Sequence, residues 1–88
     1  MDKEKKVIIL KNLIEEGKLS EFSEIFGYID KKYLHLKTGM NYYRLLRNVK
    51  NPKGFTYDDA FNIARVLKVT VRQISDLIIS QIENKKKK

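Results

Sequence analysis

The residues best suited to recognise another molecule lie in a short basic segment in the middle of the chain. Residues 31–53 hold seven of the 19 Lys and Arg residues and none of the 11 acidic residues. The rest of the chain carries 12 bases and 11 acids, so most of the formal net charge of +8 belongs to this segment. A local surplus of positive charge attracts polyanions, including nucleic acids. A basic face that is merely solvated remains the alternative interpretation.

Helical spacing divides the end of this segment into two faces. We predict a helix over Tyr42–Val49, and its apolar residues recur at the i, i+3, i+4, i+7 spacing of a buried stripe. This core-facing set is Tyr42, Leu45, Leu46 and Val49. The opposite face carries side chains that suit hydrogen bonding to base edges, since Arg matches guanine and Asn matches adenine. The predicted base-reading residues are Asn41, Tyr43, Arg44, Arg47 and Asn48.

A second predicted helix precedes this one, over Lys31–Lys37, and the turn Thr38-Gly39-Met40 joins the two. Glycine at this turn can take a positive φ, which lets two short helices cross closely. A helix pair of this kind places its second helix in the major groove of duplex DNA. Side chains at helix ends and in loops usually contact phosphates. The predicted phosphate contacts are Lys32, Thr38, Lys50 and Lys53.

The composition argues against several other kinds of chemistry. The chain has no Cys and a single His, His35, so thiol catalysis and His/Cys metal clusters are not expected. The sequence shows no nucleophile–base pair and no glycine-rich phosphate loop. The adjacent carboxylates Asp58 and Asp59 stand where a helix start explains them. We therefore expect a protein that is not an enzyme, with no metal, no cofactor and no small-molecule substrate.

The apolar runs are too short for a signal peptide or a membrane-spanning helix. The run Val7–Leu10 is interrupted by Lys11 and Asn12, so it falls short of a signal-peptide core. No stretch approaches the length of a membrane-spanning helix. We expect a cytoplasmic, nucleoid-associated protein with no membrane partner.

An all-α fold must position these residues, because Gly and Pro number only four and one. We predict a compact bundle of five to six helices in a single domain, residues 1–84, followed by a disordered Lys tail, residues 85–88. The predicted helix starts are capped by Ser20, Asp30, Asn41, Thr56 and Thr70. The predicted helices span residues 3–16, 21–28, 31–37, 42–49, 57–67 and 71–83.

Residues 21–78 resemble the lambda-repressor-like helix-turn-helix family, also called the Cro or XRE type. The resemblance rests on YLHLKTGMNYYRLLRNVKNP and on the following FTYDDAFNIARVLKVTVRQISDLI. Gly39 falls at the turn glycine of that family, and Leu45 falls at the buried position of its recognition helix. The chain also resembles short basic members of this kind from Bacteroidetes-type bacteria. The resemblance implies sequence-specific binding of double-stranded DNA by a homodimeric transcriptional regulator.

The chain departs from the family pattern at three positions. His35 replaces a small residue, Lys68 replaces a glycine, and Asn48 stands near a position that is usually apolar. Local periodicity instead places Asn48 outside and Val49 in the core, so the register of the helix end is open. A protein-interaction adaptor that keeps the fold without specific DNA binding is the alternative function. RNA binding is a weaker one, because single-strand readers usually present aromatic side chains on sheets.

Overall fold

The computed structural model describes residues 3–86, and every regular element within that range is helical. Five α-helices are joined by short connections, and two of these connections contain a 3-10 helix. The α-helices are α1 (Lys3–Glu15), α2 (Lys31–Thr38), α3 (Tyr42–Lys50), α4 (Tyr57–Leu67) and α5 (Val71–Lys86). The 3-10 helices are Phe22–Gly27 and Pro52–Gly54. The predicted all-α bundle is confirmed. Between residues 3 and 86 no helix has both the length and the apolar character that a membrane crossing needs.

Four α-helices, α2 to α5, begin at side-chain caps that the sequence predicts. Asp30 Oδ1 accepts a hydrogen bond from the Tyr33 amide at 2.6 Å, which starts α2. Asn41 Oδ1 accepts from the Arg44 amide at 3.0 Å, which starts α3. At the start of α4, Thr56 and Asp59 accept hydrogen bonds from each other's backbone amides, a reciprocal capping box. Local side-chain chemistry therefore sets where α2, α3 and α4 begin.

The helix predicted over residues 21–28, with Ser20 as its cap, is a short 3-10 helix and not an α-helix. Its first residue is Phe22, and Glu21 takes the capping position. The Glu24 carboxylate accepts from the Ser20 and Glu21 amides at 2.7 and 2.6 Å. The Tyr28 amide donates to the Ile25 carbonyl three residues back, the bond that defines a 3-10 turn. Six residues ending in a glycine are too few to favour the wider α-helical geometry.

The last helix is longer than predicted. α5 continues to Lys86, so residues 85 and 86 of the predicted disordered tail belong to the helix. Lys87 and Lys88 lie outside the described residues. Gln73 and Thr70 accept hydrogen bonds from each other's backbone amides at the start of α5, which confirms Thr70 as its cap.

All five α-helices and the first 3-10 helix contribute to one hydrophobic core. Its fully enclosed side chains include Leu10 of α1, Phe22, Leu34 of α2 and Leu45 of α3. α4 and α5 supply the buried residues Ala60, Ile63, Ala64, Leu67, Ile74, Leu77 and Ile78. The core thus reaches under α2 and α3 and holds the inner face of each against the rest of the protein.

Candidate nucleic-acid interface

The turn between α2 and α3 is held by hydrogen bonds on both of its sides. Gly39 adopts a left-handed φ of 76°, and its amide donates to the His35 carbonyl at 2.9 Å. The Thr38 hydroxyl donates to the Leu34 carbonyl at 2.7 Å and accepts from the Met40 amide at 3.2 Å. The hydroxyl proton of Thr38 is therefore committed to the turn. A phosphate would have to compete with the Leu34 carbonyl for that proton, and the phosphate contact expected of Thr38 stays a prediction.

His35 closes the same turn from the other side. Its Nδ1–H donates to the Met40 carbonyl at 2.5 Å, and its ring lies 5.4 Å from the ring of Tyr42. The imidazole thus makes a direct link across the turn. Tyr42, predicted to face the core, is half-buried at this contact. Side chains of α2 and α3 consequently brace the crossing of the two helices.

The solvent side of α3 presents one exposed row of polar side chains. Tyr43 is 79% exposed, and Arg47 and Lys50 are also exposed. These three residues follow the i, i+4, i+7 spacing, so they lie along one face of the helix. Asn41 is exposed beside them, with its Oδ1 engaged in the cap and its amide –NH₂ left as a donor. We name Tyr43, Arg47 and Lys50 the outer row.

Arg44 does not extend freely from α3, because it forms a forked ion pair with Asp59 of α4. Arg44 Nη1 donates to Asp59 Oδ1 at 2.9 Å, and Nη2 donates to Oδ2. The Arg44 side chain keeps 33% of its surface exposed, whereas Asp59 is buried. The sequence explained Asp59 only by its place at a helix start. Its pairing with a residue 15 positions away depends on how the helices pack, so no local pattern signals it.

The charges of this pair stabilise one another. Burial opposes ionisation of Asp59, but hydrogen bonds from Arg44 and Thr56 outweigh it, and the pKa of the carboxyl lies below its ordinary value. The hydrogen bond with Asp59 in turn raises the pKa of Arg44. Both groups are therefore charged across the neutral range, and the pair carries no net charge.

Asn48 lies inside the protein and cannot take the base-reading role predicted for it. Its residue is 3% exposed, and its Nδ2 has no hydrogen-bond partner among the described residues. The 3-10 helix Pro52–Gly54 folds back onto the end of α3, and Gly54 packs directly against the Asn48 amide. Val49 is buried as well. The open question of register is thus answered: both residues face inward because a neighbouring segment covers the helix end.

Gln81 of α5 is a positioning residue that sequence analysis did not single out. It is buried, its Nε2 donates to the Val49 carbonyl at 2.8 Å, and its Oε1 accepts from the Ser23 amide at 2.9 Å. The bond to Val49 satisfies a carbonyl in the last turn of α3 that has no partner within the helix. The sequence pattern that could have pointed to Gln81 is its position seven residues after Ile74, where a polar residue stands within an apolar stripe.

The remaining predicted phosphate contacts are all exposed. Lys32 lies in the first turn of α2, Lys50 ends α3, and Lys53 lies in the 3-10 helix that follows. Lys32 and Lys53 lie before and after the outer row in the chain, and Lys50 belongs to it. All three lie within the segment that has no acidic residue.

Comparison with protein-family models, curated proteins and solved structures finds no match to this chain. Among residues 3–86, no group of three or more His, Asp or Glu side chains comes together in a way that could hold a metal ion. The geometry of α2, its turn and α3 therefore carries the functional assignment.

Proposed function

We propose that this protein binds double-stranded DNA sequence-specifically as a transcriptional regulator of the lambda-repressor-like kind. In this proposal α2, the turn and α3 act as a helix-turn-helix, and α3 enters the major groove. The observation that carries the proposal is the outer row of α3: Tyr43, Arg47 and Lys50 lie exposed on a helix whose other face is buried. The row belongs to a segment without a single acid, which would otherwise repel phosphates.

The chemistry of the outer row suits a DNA groove. The major groove admits one α-helix and displays a distinct donor and acceptor pattern for each base pair. Arg47 has the planar donor fork that matches O6 and N7 of guanine. Tyr43 offers a hydroxyl to a phosphate or an apolar ring to a thymine methyl. The free amide –NH₂ of Asn41 would offer a donor to base edges at the start of α3.

Exposed lysines supply the part of binding that does not depend on sequence. Lys32, Lys50 and Lys53 would neutralise phosphates on either side of the groove, and each neutralised phosphate releases bound counterions. The affinity should accordingly fall steeply as the salt concentration rises. Binding of this kind needs neither a cofactor nor a covalent step. A protein that binds DNA in this way would act at the nucleoid, in the cytoplasm.

An exposed apolar surface on α4 and α5 supports a homodimer as the binding unit. Tyr57 and Phe61 are exposed one turn apart on α4, and Ile79 is exposed on α5. Tyr57 and Ile79 also line one groove between the two helices, with a volume of about 260 Å³. Helix-turn-helix dimers bind two half-sites about one DNA turn apart. The same surface favours the second candidate function, a protein-interaction adaptor that does not bind DNA.

Removing one arginine from the outer row tests the proposal. Arg47→Ala should weaken binding to the preferred duplex by about 1–3 kcal/mol, because one base contact is lost. The matched control is Arg72→Ala, which removes the same charge from an exposed site at the start of α5. Fluorescence anisotropy with a labelled duplex measures both variants at one salt concentration.

Two outcomes would contradict the proposal. Equal losses for Arg47→Ala and Arg72→Ala would show that only overall charge matters and that α3 does not read bases. Absence of duplex binding by the unaltered protein at low salt, together with self-association in sedimentation experiments, would favour the adaptor.

A further inference from the structure

The ion pair between Arg44 and Asp59 holds one guanidinium of α3 in a fixed orientation. The position of the Asp59 carboxylate is itself set by the start of α4, where Oδ2 accepts from the Thr56 amide at 2.9 Å. Both carboxylate oxygens then accept from the two terminal nitrogens of Arg44. An arginine side chain without a partner loses the freedom of several rotamers when it makes a directed contact. In Arg44 the ion pair has already restricted these rotamers.

The pairing leaves an unused donor edge on Arg44. A guanidinium carries five N–H donors, and the fork to Asp59 uses one on each terminal nitrogen. The Nε–H and the outer Nη2–H run parallel along the side of the group, and this edge makes the same bidentate contact with paired acceptors. One third of the side-chain surface remains exposed on α3. Arg44 can thus keep Asp59 and still offer two donors to another molecule.

The pairing also changes what Arg44 contributes to DNA binding. Phosphate attraction depends on net charge, which Asp59 cancels at this position. Recognition of guanine depends on the placement of two donors opposite O6 and N7, which Asp59 improves. The pair is therefore suited to reading a base and poorly suited to neutralising a phosphate.

We propose that Asp59 is a positioning residue for sequence discrimination: it holds Arg44 so that its free edge reads a guanine, and it suppresses the attraction of Arg44 for phosphates. This inference rests on the proposed DNA-binding function and adds a residue outside the helix-turn-helix to it. Asp59→Asn should therefore raise the affinity for duplexes of unrelated sequence and lower the discrimination in favour of the preferred duplex.

Asp59→Asn keeps the size of the side chain and an oxygen for the Thr56 amide, and it removes the negative charge. Affinity for duplexes of unrelated sequence should rise, and the dependence of log affinity on log salt should steepen by about 0.9, the value of one additional phosphate contact. The ratio of affinities for the preferred and unrelated duplexes should fall about tenfold. Anisotropy titrations over a salt series measure all three quantities.

Three control variants separate positioning from simple stability. Thr56→Ala weakens the same cap and leaves the pair intact, so slope and discrimination should stay unchanged. Arg44→Ala should lose discrimination without flattening the salt slope, and adding Asp59→Asn to it should not lower discrimination any further. Arg44→Lys keeps the charge beside Asp59 and lacks the second donor edge, so it should also lose discrimination. Circular dichroism establishes that each variant is folded.

The outcomes distinguish this inference from the proposed function. If the unaltered protein selects its site and Asp59→Asn leaves slope and discrimination unchanged, Asp59 is only a structural cap and the inference is overturned. If Asp59→Asn does not fold, the two Arg44 variants decide: full discrimination by either one overturns the inference. If the unaltered protein binds no duplex DNA, the proposed function fails and the inference fails with it.

Discussion

At the scale of single residues, the surroundings of a side chain decide what its chemistry can be used for. Helical phase alone predicts that Tyr43 and Arg47 face outward, and they are exposed. The same phase places Arg44 and Asn48 outside, yet Arg44 pairs with Asp59 and Asn48 is buried. Both differences come from segments that follow α3 in the chain and fold back toward it, which helical periodicity cannot represent.

The contact between Asn48 and Gly54 gives a direct prediction at this scale. A Cβ on Gly54 would lie 2.1 Å from Asn48 Oδ1 and 2.8 Å from its Cγ, inside contact distance. Because Asn48 is buried, its amide has little room to move away. Gly54→Ala should therefore destabilise the protein by about 1–3 kcal/mol, measured by urea unfolding.

Gly27→Ala is the matched control for this prediction, since no atom lies within 4 Å of the Cβ that it would add. It should be neutral or stabilise the protein by up to about 1 kcal/mol, through reduced freedom of the unfolded chain. Asn48→Ala in the Gly54→Ala background should recover part of the lost stability. A Gly54→Ala protein as stable as the Gly27→Ala protein would show that Asn48 does not pack against this turn.

At the scale of elements, short-range signals predict most of the fold. Asp30, Asn41 and Thr56 start α2, α3 and α4 at the predicted positions, because a cap depends only on residues two or three positions away. The helix predicted over residues 21–28 is a 3-10 helix over Phe22–Gly27, so its position was predicted and its helix type was not. The link from Gln81 to the end of α3 joins residues 32 positions apart, and single-sequence patterns carry no information about such pairs.

The end of α4 stores a backbone cost that a substitution can remove. Lys68 has a φ of 60°, the only positive φ of a non-glycine residue within residues 3–86. The Val69 amide donates to the Ala64 carbonyl at 3.0 Å, which completes a Schellman turn around this position. Lys68→Gly should stabilise the protein by about 1 kcal/mol, because glycine adopts this conformation without a Cβ clash.

Lys6→Gly, at an exposed site within α1, should instead destabilise the protein by about 1 kcal/mol. Urea unfolding midpoints of the two variants provide the comparison. A loss of stability for both would mean that Lys68 makes a favourable contact that outweighs its backbone conformation.

At the scale of the whole molecule, the net charge and the shape of the protein make different contributions to the proposed DNA binding. The composition predicts attraction to a polyanion, and that prediction needs only the count of charges along the chain. It does not predict which base sequence the protein would prefer, because in the proposed function that preference depends on a few donors held in place by the turn, by Asp59 and by Gln81. Nor does it predict where two copies would meet in the proposed dimer, since the exposed apolar surface is visible only once α4 and α5 are packed.

Selection from a pool of random duplex DNA, followed by sequencing, tests the central claim most directly. The proposed function predicts enrichment of one sequence containing guanine, with two inverted half-sites whose centres lie about 10–10.5 base pairs apart. The Arg47→Ala protein, selected in parallel, should lose preference at one position of each half-site and keep the others. Recovery of a pool with no enriched sequence at low salt would contradict the assignment of α3 as a base-reading helix.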